Sequence, residues 1–210
     1  MSTISATPNT RMEWINYLRD LKTRMMKVDP VRTPSLLQRL EKDMRDRESS
    51  AAEFDTMEQY LPFRLKNFDF EAVSQMLLWG MDIDLSFAEL ESDLLAKIKY
   101  SSGIIAVLAN DYFSWEREKR QQYDSDRIRN AVAVLMKQDD VSEEEAKEGV
   151  KKIIIEEEGR IRNLLAVAQE TGKVSEALRR YLDGLQSFAS GYQFWCATCL
   201  RYSQPEGDSN

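Results

Sequence analysis

Asn110, Ser114 and Glu118 follow one another at four-residue intervals, and each ends in an oxygen that can bind a cation. On a helix turning about 100° per residue, positions i, i+4 and i+8 share one face. Asn110 and Glu118 would be separated by about 12 Å along the axis. Helical side chains lean toward the N-terminus, however, so the long glutamate reaches back toward the serine and the asparagine. Arg117 falls beside the same face. An amide oxygen, a hydroxyl and one carboxylate make an all-oxygen set of low charge. Such a set suits Mg2+, a hard ion that keeps several waters and takes further ligands from phosphate. A site of this kind is complete only when a diphosphate arrives. The same spacing also describes a solvated polar stripe on an amphipathic helix, so the metal reading needs support from other segments.

The elements that must position this face are helical. The 210 residues are 42 % hydrophobic and 31 % charged, with only eight glycines and five prolines, as expected of one helical domain with a substantial core. Sustained period-two alternation is absent, so the expected fold is all-α, an antiparallel helical bundle. Trp14, Leu18, Leu21 and Met25 recur at helical spacing until Asp29-Pro30, and Thr33-Pro34 opens a second helix. Residues 45–55 read as an exposed connector. Asp55 and Thr56 then cap a short helix carrying Tyr60 and Arg64, with Glu58 and Gln59 as capping-box partners. After an apolar helix through Val73, Met76, Leu77 and Trp79, one long helix is expected from Ser86 to about Arg120, bearing the metal face near its end. Another is expected from Asp124 to Lys137. Ser142 and Glu145 form a capping box for a helix ended by Thr171-Gly172, and the last helices are expected at about 174–184 and 186–203. Asp139-Asp140-Val141-Ser142-Glu143 resembles an acidic metal motif but reads as an interhelical loop and cap.

Composition excludes several functions. A net charge of −7 argues against nonspecific binding to nucleic acid, whose backbone rewards basic surfaces. There is no histidine, so the commonest general base and zinc ligand are missing and no catalytic acid or base is singled out. Chemistry must use carboxylates, arginines, tyrosines or a metal. The lone pair Cys196 and Cys199 lacks the context of a redox or zinc motif and reads as reduced packing residues. No apolar run approaches membrane-spanning length, and Met1-Ser2-Thr3-Ile4-Ser5 lacks a signal-peptide core, so a cytoplasmic location is expected.

Four segments together resemble class I terpene cyclases, most closely the fungal type in which a cyclase can be fused to a prenyltransferase. Asn110-Asp111, Ser114 and Arg117-Glu118 match that family's second metal motif. Arg64, 46 residues upstream of Asn110, stands where the family keeps a diphosphate-sensing arginine. The stretches Asn130-Ala131-Val132 to Met136-Lys137 and Ser142-Glu143-Glu144-Glu145-Ala146-Lys147 look like the region after that motif, and Arg201-Tyr202 matches a terminal Arg-Tyr pair. The resemblance implies an incomplete class I terpenoid synthase fold, with a partial cyclase domain over residues 10–203 between disordered ends at 1–9 and 204–210. It implies that Asn110, Ser114 and Glu118 chelate Mg2+ and that Arg64, Arg117, Arg201 and Tyr202 bind the diphosphate. The activity implied is ionisation and cyclisation of a polyprenyl diphosphate, geranylgeranyl or geranylfarnesyl diphosphate. Phe63, Trp79, Phe87, Phe113 and Trp195 are candidates for an aromatic wall, or for plain core.

Two departures bear on that activity. The family's aspartate-rich D-D-x-x-D motif does not occur before Arg64, and Asn67 and Phe68 stand where the family usually has an acidic and then a small residue. A chain lacking the earlier helices would expose apolar faces, at about 25 cal/mol per Å2, and is expected to need a helical partner or to form a homo-oligomer. The competing expectation is a noncatalytic remnant or accessory helical subunit.

Overall fold

A computed structural model describes residues 8–46, 53–120, 129–172 and 174–203. The described residues are helical, without strands, and divide into two compact units, Met1–Asp46 and Arg47–Asn210. None of their helices is long and apolar enough to cross a membrane.

The first unit contains α1 (Pro8–Val28) and α2 (Thr33–Asp46). Asp29 makes the corner between them, its Oδ1 accepting from the backbone N–H groups of Val31 (3.1 Å) and Arg32 (2.8 Å). Thr33 Oγ1 donates back to the Met25 carbonyl at 3.0 Å. Asx-type bonding of this kind explains why Asp29-Pro30 ends α1. Met12, Ile15, Leu18 and Leu21 of α1 are exposed.

The second unit comprises α3 (Met57–Phe68), α4 (Phe70–Gly80), α5 (Phe87–Leu90), α6 (Asp93–Arg120), α7 (Ala131–Asp139), α8 (Glu143–Thr171), α9 (Glu176–Thr198) and α10 (Leu200–Ser203). Its axis is α6, which packs against α3, α7, α8 and α9. From Ser101 to Ala109 every residue of α6 is buried, as expected of a helix enclosed on all sides. One core gathers Tyr60, Phe63, Leu108, Trp115, Val132 and Val150. The other gathers Phe70, Ile98, Ile105, Tyr181, Leu182 and Leu185. Gly103 lets the α3–α4 junction approach α6 closely: a Cβ there would lie 2.6 Å from Leu65 Cδ2 and 2.9 Å from Phe70 Cδ1.

Several boundaries follow local chemistry. Thr56 caps α3 by accepting from Gln59 N, and Asp69, at φ 63°, ψ 45°, closes it while opening α4. Aspartate tolerates this left-handed geometry better than most residues. A helix break therefore follows Phe68 directly, at Asp69. Ser142 and Glu145 form the expected reciprocal cap of α8, and Gly172, at φ 61°, ends it. Asp140 lies in the α7–α8 turn at φ 52°, consistent with a loop role for the acidic stretch.

Three expected helices differ. The helix expected from Ser86 is interrupted, because Ser86 and Glu89 complete a capping box for the short α5 and Ser92 then caps α6 through Leu95 N (3.3 Å). The helix expected from Asp124 starts at Ala131, where extended Asn130 caps it; residues 121–128 lie outside the described residues. The break expected near residue 185 is absent. Leu182 and Leu185 are buried on one face of a continuous α9, and Met81 packs where Gly184 has no Cβ, so tertiary packing overrides the weak helix propensity of glycine. The connector at 45–55 lies partly, and the 204–210 tail wholly, outside the described residues.

The end of α6 is clamped to the start of α8 by ion pairs. Lys119 Nζ lies 3.1 and 2.9 Å from the two Glu143 oxygens, and Lys147 Nζ lies 2.8 Å from Glu116 Oε1 and 3.3 Å from Glu143 Oε1. Hydrogen bonding from Lys119 is the largest influence holding the Glu143 carboxyl down to about 2. A depressed carboxylate pKa contributes stability that is present above the unfolded value of about 4.3 and is lost as pH falls through the folded value. Denaturant unfolding is expected to show a stability decline between pH 5 and pH 2 that is shallower in Glu143→Gln. Equal declines would show that the clamp has no acid-linked contribution.

Candidate functional site

The site is built around a buried carboxylate, Asp111 of α6, which is wholly inaccessible. Its Oδ1 accepts from Arg64 Nε at 2.9 Å and lies 2.9 Å from Arg64 Nη2. Its Oδ2 accepts from the Tyr60 hydroxyl (2.5 Å) and from Ala131 N at the start of α7 (3.0 Å). Burial disfavours the Arg64 cation, but Asp111 more than offsets it, so the guanidinium pKa is raised.

Arg64 is thereby aimed along α6. Its Nη2 donates to Asn110 Oδ1 at 2.7 Å and its Nη1 to Asn67 Oδ1 at 2.9 Å, with its plane 5.9 Å from the centre of the Phe68 ring. Arginine can only donate, which fixes the Asn110 amide orientation. Asn110 Nδ2 then donates to the hydroxyls of Tyr202 (2.7 Å) and Tyr192 (3.2 Å). Arg64, Asn110 and Tyr202, far apart in sequence, are thus directly bonded.

Ser114 and Glu118 complete the expected face. Ser114 is fully buried, its Oγ 3.5 Å from the Asp111 carbonyl, and Glu118 Oε2 accepts from Asn130 Nδ2 at 3.1 Å. Burial is the main cause raising the Glu118 pKa; Asn130 and Ser114 oppose it, and Asp111 adds to it. Arg117 Nη2 lies 3.9 Å from Glu118 Oε1, too long for a strong bond, and Arg117 Nε is buried with no hydrogen-bond partner among the described residues. The guanidinium groups of Arg117 and Arg201 lie 5.4 and 5.9 Å from the Tyr202 ring centre. Arg201 itself is exposed, next to Tyr202.

The aromatic surroundings differ from the expected wall. Phe63 is core, 4.7 Å from Phe54; Phe87 is 80 % exposed; Phe113 faces an apolar groove with Phe194; and Trp79 is half-buried at the end of α4. Only Trp195 of the five joins the site. It stacks on Tyr192 at 5.6 Å and meets Tyr202 edge-on at 5.9 Å, while Tyr192 also meets Phe188 at 5.7 Å and Phe68 at 5.3 Å. Phe188, Tyr192 and Trp195 stand at i, i+4 and i+7 of α9, a one-face spacing that would have revealed the ladder. Asp111, Tyr60 and Asn130 are the functional candidates that spacing alone does not disclose. Cys196 is buried, its thiol pushed up to about 11 chiefly by burial, and neither it nor Cys199 is in a disulfide.

The helical bundle brings Arg64, the Asn110–Ser114–Glu118 face and Tyr202 together, the residues on which the sequence resembles class I terpene cyclases. The fold agrees with aristolochene synthase from Penicillium roqueforti at a TM-score of 0.74 and 22 % identity, covering 85 % of this chain and 60 % of that one. It also agrees with 2-methylisoborneol synthase from Streptomyces coelicolor A3(2), solved in complex with Mg2+ and geranyl-S-thiolodiphosphate, at a TM-score of 0.72 and 19 % identity, covering 98 % and 67 %. The chain belongs to terpene synthase family 2, whose C-terminal metal-binding domain is matched by residues 12–160. It is 37 % identical over 166 residues to the bifunctional terpene synthase FUP1 of Fusarium proliferatum, covering 77 % of this chain and 22 % of that protein. It is 29 % identical over 206 residues to the sesterterpene synthase btcA of Colletotrichum orbiculare, covering 94 % and 28 %. The chain therefore spans about a quarter of the length of these fungal relatives.

Proposed function

We propose that this chain carries the metal- and diphosphate-binding part of a fungal-type terpene cyclase acting on geranylgeranyl or geranylfarnesyl diphosphate with Mg2+. The observation that carries the reading is the Asn110 amide: Arg64 from α3 and Tyr202 from α10 both bond to it, on the face that continues to Ser114 and Glu118. Asn110 Oδ1 uses one lone pair on Arg64 and keeps a second for a cation. Ser114 Oγ and the Glu118 carboxylate would supply the other protein oxygens. The buried Arg117 Nε, without a hydrogen-bond partner among the described residues, fits an anionic ligand beside that face. When bound, Mg2+ supplies the charge that stabilises a departing diphosphate.

The chain's own residues do the rest. Arg117 and Arg201 present planar donors that match phosphate oxygens, and the Tyr202 hydroxyl adds another; Arg64, engaged by Asp111, Asn110 and Asn67, would add its remaining Nη1 N–H. Arg64 is pre-aimed by Asp111, so little reorganisation is needed when negative charge develops. The ladder of Phe68, Phe188, Tyr192 and Trp195 gives the neighbouring space aromatic faces that exclude water and favour a carbocation. Cyclisation is the reading for these residues acting together with aspartate-rich carboxylates.

The test is retention of farnesyl, geranylgeranyl and geranylfarnesyl diphosphates with and without Mg2+, followed by gas chromatography of the extracts. Mg2+-dependent binding that favours the two longer substrates is expected. Binding that ignores Mg2+, or that favours farnesyl diphosphate, overturns this assignment.

A further inference from the structure

Asn130 is fully buried and makes three hydrogen bonds. Its Oδ1 accepts from Val132 N at 2.9 Å, capping α7. Its Nδ2 donates to the Asp111 carbonyl at 2.8 Å and to Glu118 Oε2 at 3.1 Å. Serine or aspartate would cap a helix as well as asparagine does. Only an amide adds two donors to the capping acceptor, and both donors are used here on α6. The demand for asparagine therefore comes from α6 and Glu118, beyond what the cap requires.

Asp111 extends the same network in the other direction. Its carboxylate holds Arg64 on one oxygen and Tyr60 and Ala131 on the other, and the Tyr60 hydroxyl also lies 3.2 Å from the Arg129 carbonyl. Residues 129–131 thus touch the anchor of Arg64 and the carboxylate of Glu118 together.

We propose that Asn130 is a positioning residue that, through Asp111, fixes the Glu118 carboxylate relative to the Arg64 guanidinium, so that cation and diphosphate are bound in register. This rests on reading Glu118 as a metal ligand. Asn130 touches neither ligand itself. It bonds the Glu118 carboxylate directly, and partners of this kind typically change metal affinity by about 10–100-fold when lost.

The test is Mg2+ titration of the 210-residue chain at fixed inorganic diphosphate, for the wild type, Asn130→Ser and Asn130→Asp. Both variants keep an N-cap. Asn130→Ser removes the Glu118 donor, and Asn130→Asp turns an acceptor toward Glu118. Half-saturating Mg2+ is expected to rise about tenfold in Asn130→Ser and further in Asn130→Asp, with binding recovered at high Mg2+. A general folding defect is separated by circular dichroism of the unliganded variants, which are expected to keep the wild-type helical signal, since high Mg2+ could also refold a destabilised chain. If Asn130→Ser unfolds, Asn130→Asp reads the same effect. An unchanged Mg2+ requirement in the folded variants overturns the proposal and leaves the Mg2+ reading standing. A wild-type chain that binds no diphosphate in Mg2+ overturns both.

Discussion

Asp111→Ala is expected to destabilise the second unit by about 3–5 kcal/mol, the range for removing one partner of a buried ion pair. The substitution strands the Arg64 guanidinium, whose side chain is only 10 % exposed, leaves the Ala131 N–H without its acceptor and leaves the Tyr60 hydroxyl only the Arg129 carbonyl at 3.2 Å. Asparagine at this position restores little, because its amide nitrogen must face one of these donors. The double variant Arg64→Met/Asp111→Ala removes charge and counter-charge together. It is expected to lose less than the two single variants summed, with a coupling of about 0.5–3 kcal/mol. Denaturant unfolding of all four proteins measures this. Asp111→Ala within about 1 kcal/mol of the wild type would show that the carboxylate is not the anchor described here, since that is below the buried-pair range.

Asn110→Ala is expected to weaken Mg2+-dependent diphosphate binding by about 100-fold, the upper end of what even an outer-shell partner costs a metal site. Alanine removes the proposed ligand oxygen and also the group on which Arg64, Tyr192 and Tyr202 converge. Stability should change far less than in Asp111→Ala, because Asn110 is only partly buried. A large binding loss with a small stability loss separates the two residues: Asp111 supports the fold of the site and Asn110 its chemistry.

What was legible in the sequence was local. The start and end of α8 were readable because Ser142, Glu145 and Gly172 act on backbone within a few residues of themselves. The Asn110, Ser114 and Glu118 spacing was readable because a helix converts spacing into a shared face. What escaped depends on contacts across the chain. Asp111 stands inside the same motif, yet its partners Tyr60, Arg64 and Ala131 lie on α3 and α7, and no periodicity announces them. Gly184 looked like a helix end but sits against Met81 within α9, and Ser92 divided a helix whose apolar pattern ran through. Phe63 and Phe87 had the right chemistry for an aromatic wall, but one became core and the other solvent-exposed. At the α3–α4 junction, Asn67 and Phe68 depart from the usual acidic and small residues, yet Asn67 bonds Arg64 and Phe68 packs on Tyr192. Arg64 thus has local partners of different chemistry.

The most direct measurement is isothermal calorimetry of inorganic diphosphate with this chain, with Mg2+ and again with the metal chelated, for the wild type and Asn110→Ala. Saturable binding by the wild type only when Mg2+ is present, with Asn110→Ala failing under both conditions, is the predicted result. Equal binding with and without Mg2+, or an Asn110→Ala protein that binds as the wild type does, contradicts the account.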